Sequence, residues 1–252
     1  SRFLQEIPAR LLRRAEETRE AVLRDAGLCP PAPTLIYLAP TWEAFQEVQP
    51  GGEPPLWSVG TAYPGRNLII LRSPRGMKGG RTEVEKVFAH EYAHLCLGRV
   101  LHATRAPRWL DEGFTMLQSR EWSLSWTYVL SRGVLTKDLI PFEELADAFP
   151  ADRGRAELAY AQSFSLVSFI KNEYGPEALP RLIRGLGHGL DAFDGAENRF
   201  LIDLITDLRQ LDEDHVSQLV DGVFRHADGD DVALDQSPLV VLRIAQIARY
   251  LH

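Results

Sequence analysis

The chain has 252 residues, a formal net charge of −7, 45% apolar residues and 25% charged residues. That length suits one large domain or two smaller lobes with a sizeable core, and the composition is that of an ordinary globular protein. The acidic balance, with no basic run interleaved with aromatics, argues against a nucleic-acid partner, and no apolar run reaches the length needed to span a membrane.

In chain order, residues 3–26 read as an amphipathic helix, with Leu4, Ile7, Leu11, Leu12, Ala15, Val22 and Leu23 on one side and charges opposite. Pro30, Pro31 and Pro33 break it. Residues 34–38 are a short apolar strand, and residues 41–48 one or two helical turns. Two strands follow, 56–63 and 67–71, joined by the turn Pro64-Gly65-Arg66. The hairpin is either a plain structural unit or an edge strand against which an extended peptide can lie. The Gly- and Pro-rich stretch 73–80 connects it to the next helix.

Residues 81–98, RTEVEKVFAHEYAHLCLG, carry the chemistry. Thr82 and Glu85 form a capping-box pattern. Val84, Val87, Phe88, Glu91 and Leu95 recur at helical spacing, and Gly98 is a natural terminator. On this helix His90 and His94, four apart, project from one face and can bind one metal ion. Glu91 borders that face, placed to touch a metal-bound water without ligating. The plainer alternative is that the two histidines cap and salt-bridge an exposed helix. Cys96 points to another side of the helix and is expected as a buried thiol. With Cys29 the only other cysteine, there is no disulfide framework, and spacing does not say whether the two pair.

A second helix is expected over residues 108–120, RWLDEGFTMLQSR, with Pro107 near its start. Helical segments then follow at 122–131, 142–148, 155–174, 177–186, 196–208, 214–226 and 239–251. The expected class is α+β: a lobe at residues 1–120 with a small mixed sheet and the two motif helices, then a mainly helical lobe at 121–252.

Two imidazoles leave zinc one protein ligand short, with the fourth position kept for water in a catalytic site. His102, Asp111 and Glu112 are the candidates. An H-E-x-x-H-x-x-G-x-x-H pattern would place Gly three and His six positions past His94. Gly98 and His102 stand four and eight past, so both miss.

H-E-x-x-H followed about twenty residues later by Trp109-Leu110-Asp111-Glu112-Gly113-Phe114 resembles the gluzincin, or thermolysin-like, zinc metallopeptidases. The resemblance implies a thermolysin-like catalytic lobe, His90, His94 and Glu112 as zinc ligands, and Glu91 as catalytic base. The interval from His94 to Glu112 is about one residue shorter than in the aminopeptidase branch, which the segment before Pro107 can absorb. A carboxylate ligand partly neutralises the dication yet leaves it able to activate water. Asp111 is then either a partner that orients one of the imidazoles or a solvated helix residue. Tyr160, in Ala159-Tyr160-Ala161-Gln162-Ser163, resembles the gluzincin tyrosine that stabilises an oxyanion; the alternative is a packed core tyrosine. The strand Val59-Gly60-Thr61-Ala62-Tyr63-Pro64 lacks the acidic residue with which the aminopeptidase branch holds a free amino group. Strict aminopeptidase specificity is therefore not expected.

The function expected on this basis is zinc-dependent hydrolysis of peptide or protein substrates. A catalytically silent binding or scaffold protein that keeps the fold is one rival, and a zinc hydrolase of non-peptide amides another. Because the chain opens already inside helical sequence, as a trimmed chain would, and because of the habit of the resembled family, export to a periplasm or outside the cell is expected ahead of a cytoplasmic location.

Overall fold

The computed structural model describes residues 2–27, 33–54, 58–73, 81–101, 106–121, 124–188 and 203–204, the side chains of 2–10, 81–83, 124 and 188 excepted. It is an α+β protein, mostly helical with one small mixed sheet. The elements in order are α1 (Arg2–Ala26), β1 (Leu35–Ala39), α2 (Trp42–Glu47), β2 (Gly60–Tyr63), a single 3-10 turn (Pro64–Arg66), β3 (Leu68–Arg72), α3 (Arg81–Leu101), α4 (Arg108–Ser119), α5 (Leu124–Leu135), α6 (Phe142–Asp147), α7 (Arg153–Glu173) and α8 (Ala178–His188). The expected Thr82 cap, the strand start at residues 56–57, His102, Cys29 and the segments 214–226 and 239–251 lie outside the described residues, as does 196–208 apart from helical 203–204.

The chain divides into two compact units. One comprises Ser1–Ala106, Phe114–Glu121 and Pro176–Asn198; the other comprises Pro107–Gly113, Trp122–Gly175 and Arg199–His252. Helix α4 contributes its first half to the second unit and its second half to the first.

In the first unit the sheet order is β1-β3-β2. β1 runs parallel to β3 with Leu35 opposite Leu68, and β2 runs antiparallel to β3 with Gly60 opposite Leu71. Side chains alternate across a strand. Ile70 therefore packs on one face with Ala39 and Phe45 of α2, while Ile69 and Leu71 face the other way, and all three are buried. Thr41 caps α2 by accepting from Ala44 N at 3.2 Å. At the far end of α2, Gln49 Oε1 accepts from Thr61 Oγ1 and from the Tyr63 hydroxyl, at 2.9 and 2.6 Å, tying β2 to that helix.

Helix α3 is the centre of this unit, with α1, α8, β2, β3 and the 3-10 turn packed around it. Val84, Phe88, Ala89, Ala93, Leu95, Cys96, Leu97 and Leu101 are all buried, a distribution that runs round the helix rather than along one stripe. Each large apolar side chain so buried contributes about 1.5–3 kcal/mol. Gly98 does not end α3 as its sequence suggested: the helix continues to Leu101, and Pro64 of the 3-10 turn lies over Gly98. The buried Arg99, one residue on, donates to Asn67 Oδ1 at 2.6 Å and to Thr34 Oγ1 at 3.3 Å. Asn67 itself sits in the left-handed region at φ 51°, a conformation asparagine tolerates. On α1 the expected apolar side is only half realised, for Leu11 and Val22 are buried but Leu12 and Leu23 are exposed.

The second unit is built on α7. Asp152 caps it by accepting from Arg155 N at 2.9 Å, and Leu158 to Ile170 are buried except at Tyr160. The Gln162 amide bonds both the N–H and the C=O of Ile140, at 2.9 and 3.0 Å, as a neighbouring strand would. Gly113 of α4 is in contact with the backbone at Ser163, and a methyl group there would overlap the Ser163 carbonyl and the Val167 side chain. A Gly113→Ala substitution is accordingly expected to destabilise the protein by about 3 kcal/mol, the upper part of the overpacking range. The thermal midpoint should fall by roughly 6–12 °C, as read by a circular dichroism melt.

Candidate metal centre

His90 and His94 stand one turn apart on α3, both half-buried. Their rings meet nearly edge to face, with centroids 4.8 Å apart, and the two Nε2 atoms are 3.1 Å apart. Two nitrogens bound at about 2.0–2.1 Å to one tetrahedral ion stand about 3.3–3.4 Å apart, so the pair already has nearly the separation that a shared ion demands. Glu112 of α4 is buried, and one donor atom from each of His90, His94 and Glu112 falls within 4.8 Å of the others. Two imidazole nitrogens and a carboxylate oxygen form a donor set suited to a divalent transition metal with an open position. These three residues could hold a metal ion.

Glu91, half-buried, follows His90 on the same helix. Its Cγ and Oε1 lie close enough to Gly60 of β2 that any Cβ there would overlap them, as it would Val87. Glycine is required at this point of β2 by the close approach of strand backbone and carboxylate side chain. Asp111 makes a 3.6 Å ion pair with Arg108 and is partly exposed. Tyr160, on α7 of the second unit, is half-buried with its ring perpendicular to Phe149 at 5.0 Å. Cys96 is a buried thiol.

Two neighbours of His90 escaped sequence reasoning. Thr115, fully buried on α4, holds its hydroxyl 3.4 Å from His90 Nε2. Glu121 places Oε2 3.5 Å from His90 Nδ1. Burial raises the pKa of the Glu121 carboxyl. The attraction of His90 at that distance, then Ser119 and Lys86, outweigh burial and hold it below the ordinary carboxylate range. A carboxylate at Nδ1 favours the tautomer with its proton there, leaving the Nε2 lone pair on the side of His94.

Glu121 lies past the end of α4, where helical spacing has no reach. It is delivered by the helix terminus: Arg120 takes the left-handed conformation at φ 55°, and Glu121 N–H bonds back to Met116 O at 3.1 Å. That bond is the closing feature of a Schellman cap. Glycine at position 120 would have signalled the turn; arginine does not.

The fold and the site thus define a mainly helical α+β protein with a two-histidine, one-carboxylate cluster able to take a metal. A model of the peptidase MA superfamily matches residues 15–217, and the chain belongs to that superfamily. A search of the curated proteins and of the solved structures finds no significant match.

Replacing Glu121 by Gln keeps the side-chain shape and removes the charge that holds His90. Divalent-metal affinity is expected to fall by about 10- to 100-fold, the usual effect of losing a partner behind a ligating imidazole. Competition with a chromophoric chelator measures it.

Proposed function

We propose that this protein is a zinc-dependent peptidase of thermolysin-like type, in which His90, His94 and Glu112 hold the metal and Glu91 is the general base. One observation carries the reading: the three donors lie within 4.8 Å of one another, with Glu91 adjoining His90, in a chain of the peptidase MA superfamily. When bound, zinc would polarise the scissile carbonyl and lower the pKa of its water.

The chain's own residues do the rest. Glu91 takes the proton of the attacking water and returns it to the leaving nitrogen, so that one carboxylate serves as base and then as acid. Gly60 supports this role, since the backbone of β2 limits the space open to the Glu91 side chain. β2 has a strand neighbour on one side only among the described residues, so an extended peptide can add along its other edge and lie beside Glu91. That edge lacks an acidic residue to bind a free amino group, which favours internal cleavage over strict aminopeptidase action. Tyr160 donates its phenolic hydrogen to the oxygen that becomes negative in the tetrahedral intermediate. Asp111, expected as a partner of an imidazole or as a solvated residue, shares Arg108 with Glu112; Glu121 is the carboxylate at His90.

A Glu91→Gln protein should keep one zinc per chain and lose about 10²- to 10⁴-fold in hydrolysis of a peptide library. Wild-type cleavage by that variant would rule out the mechanism, and stoichiometric zinc without cleavage by the wild type would leave the binding or scaffold alternative in its place. Tyr160→Phe should likewise keep its zinc and lose about 10²- to 10³-fold in kcat with KM little changed. Steady-state kinetics on a peptide that the wild type cleaves decide it.

A further inference from the structure

The Glu112 carboxylate has a partner one turn earlier on its own helix. Arg108 directs Nη2 at Glu112 Oε1, while its Nη1 lies 3.6 Å from Asp111 Oδ2. The Glu112 side chain is only 4% exposed and that of Arg108 34%. A carboxylate so buried needs a compensating group, whereas an exposed i,i+4 pair would contribute little.

The guanidinium is itself held. Its central carbon stands 5.6 Å from the Phe149 ring centroid, within cation–π range, and Phe149 is packed edge-on against Tyr160. Arg108 therefore has two carboxylates and an aromatic ring as neighbours. It carries a charge that is not lost at any accessible pH and a planar fork of donors that can engage two acceptors at once.

We propose that Arg108 is a positioning residue for the third metal ligand. With Oε1 of Glu112 engaged by Arg108, the carboxylate would offer a bound metal a single oxygen, and a coordination position would stay open for water. Phe149 keeps Arg108 in that place. The inference rests on the metal-site reading above and adds to it how the carboxylate is made to bind.

Cobalt(II), whose visible bands are intense at four-coordinate sites and weaken as further oxygens bind, tests it with a readout independent of turnover. Wild type, Arg108→Met, Arg108→Lys and Phe149→Leu proteins are loaded with cobalt, and absorbance per bound ion and kcat are measured for each. In Arg108→Met the Glu112 carboxylate is released to bind through both oxygens. Its band intensity should fall to about half or less of wild type, and kcat by about 10- to 100-fold, with one cobalt still bound. Arg108→Lys, which keeps charge but not the fork, should lie between. Phe149→Leu, which leaves every charge in place, should shift the spectrum in the same direction by less. Cobalt-loaded Arg108→Met with wild-type bands and wild-type kcat overturns this proposal alone. A wild type that binds no cobalt overturns the metal-site reading, and this proposal with it.

Discussion

Burying a helix that carries two histidines and a glutamate is the constraint on which this structure turns. α3 is enclosed by two helices, a sheet and a tight turn, so its half-buried polar groups are only partly served by water. An ionisable side chain in that setting must be paired or remain neutral. The arrangement meets this by gathering partners: His90 has His94 and Thr115 near Nε2 and Glu121 near Nδ1. Many buried apolar groups on the same helix offset the desolvation of these few polar ones.

Helix α4 and the turn that ends it supply two of those partners, Thr115 and Glu121, together with Glu112. Glu112 and Thr115 are three apart and fall on neighbouring positions of one face. Gly113 between them has no side chain, which permits the close approach to the Ser163 backbone of α7. The left-handed turn at Arg120 then ends the helix and brings Glu121 to His90. Left-handed geometry at a non-glycine residue costs about 1 kcal/mol, a strain retained where it places a charged group.

Much of this was legible because helical chemistry is local. The H-E-x-x-H spacing identified His90, Glu91 and His94. Pro107, followed by the W-L-D-E-G-F run, marked both the start of α4 and Glu112 within it. Strand boundaries were read less well: of the strand expected over 56–63, residues 58 and 59 are described but are not strand, and Gly60–Tyr63 are. The error at Gly98 has a physical origin. Glycine is found both past helix ends and inside helices where another segment packs against the backbone, and only the position of Pro64 distinguishes the two. Leu12 and Leu23 were misassigned because periodicity reports a face of α1 and not how far its neighbours cover that face.

The sequence by itself determined the two motif helices and the places of His90, Glu91, His94 and Glu112 on them, since each depends on spacing within a helix or on a short motif. Only the tertiary structure decided which groups surround them. The parallel pairing of β1 with β3, Gly60 against Glu91, Glu121 behind His90 and Phe149 against Arg108 all join residues at least 30 apart in the chain. No periodicity encodes such contacts, because they follow from how finished elements pack: a turn in the left-handed conformation, a strand laid across a helix, an aromatic face presented by a loop.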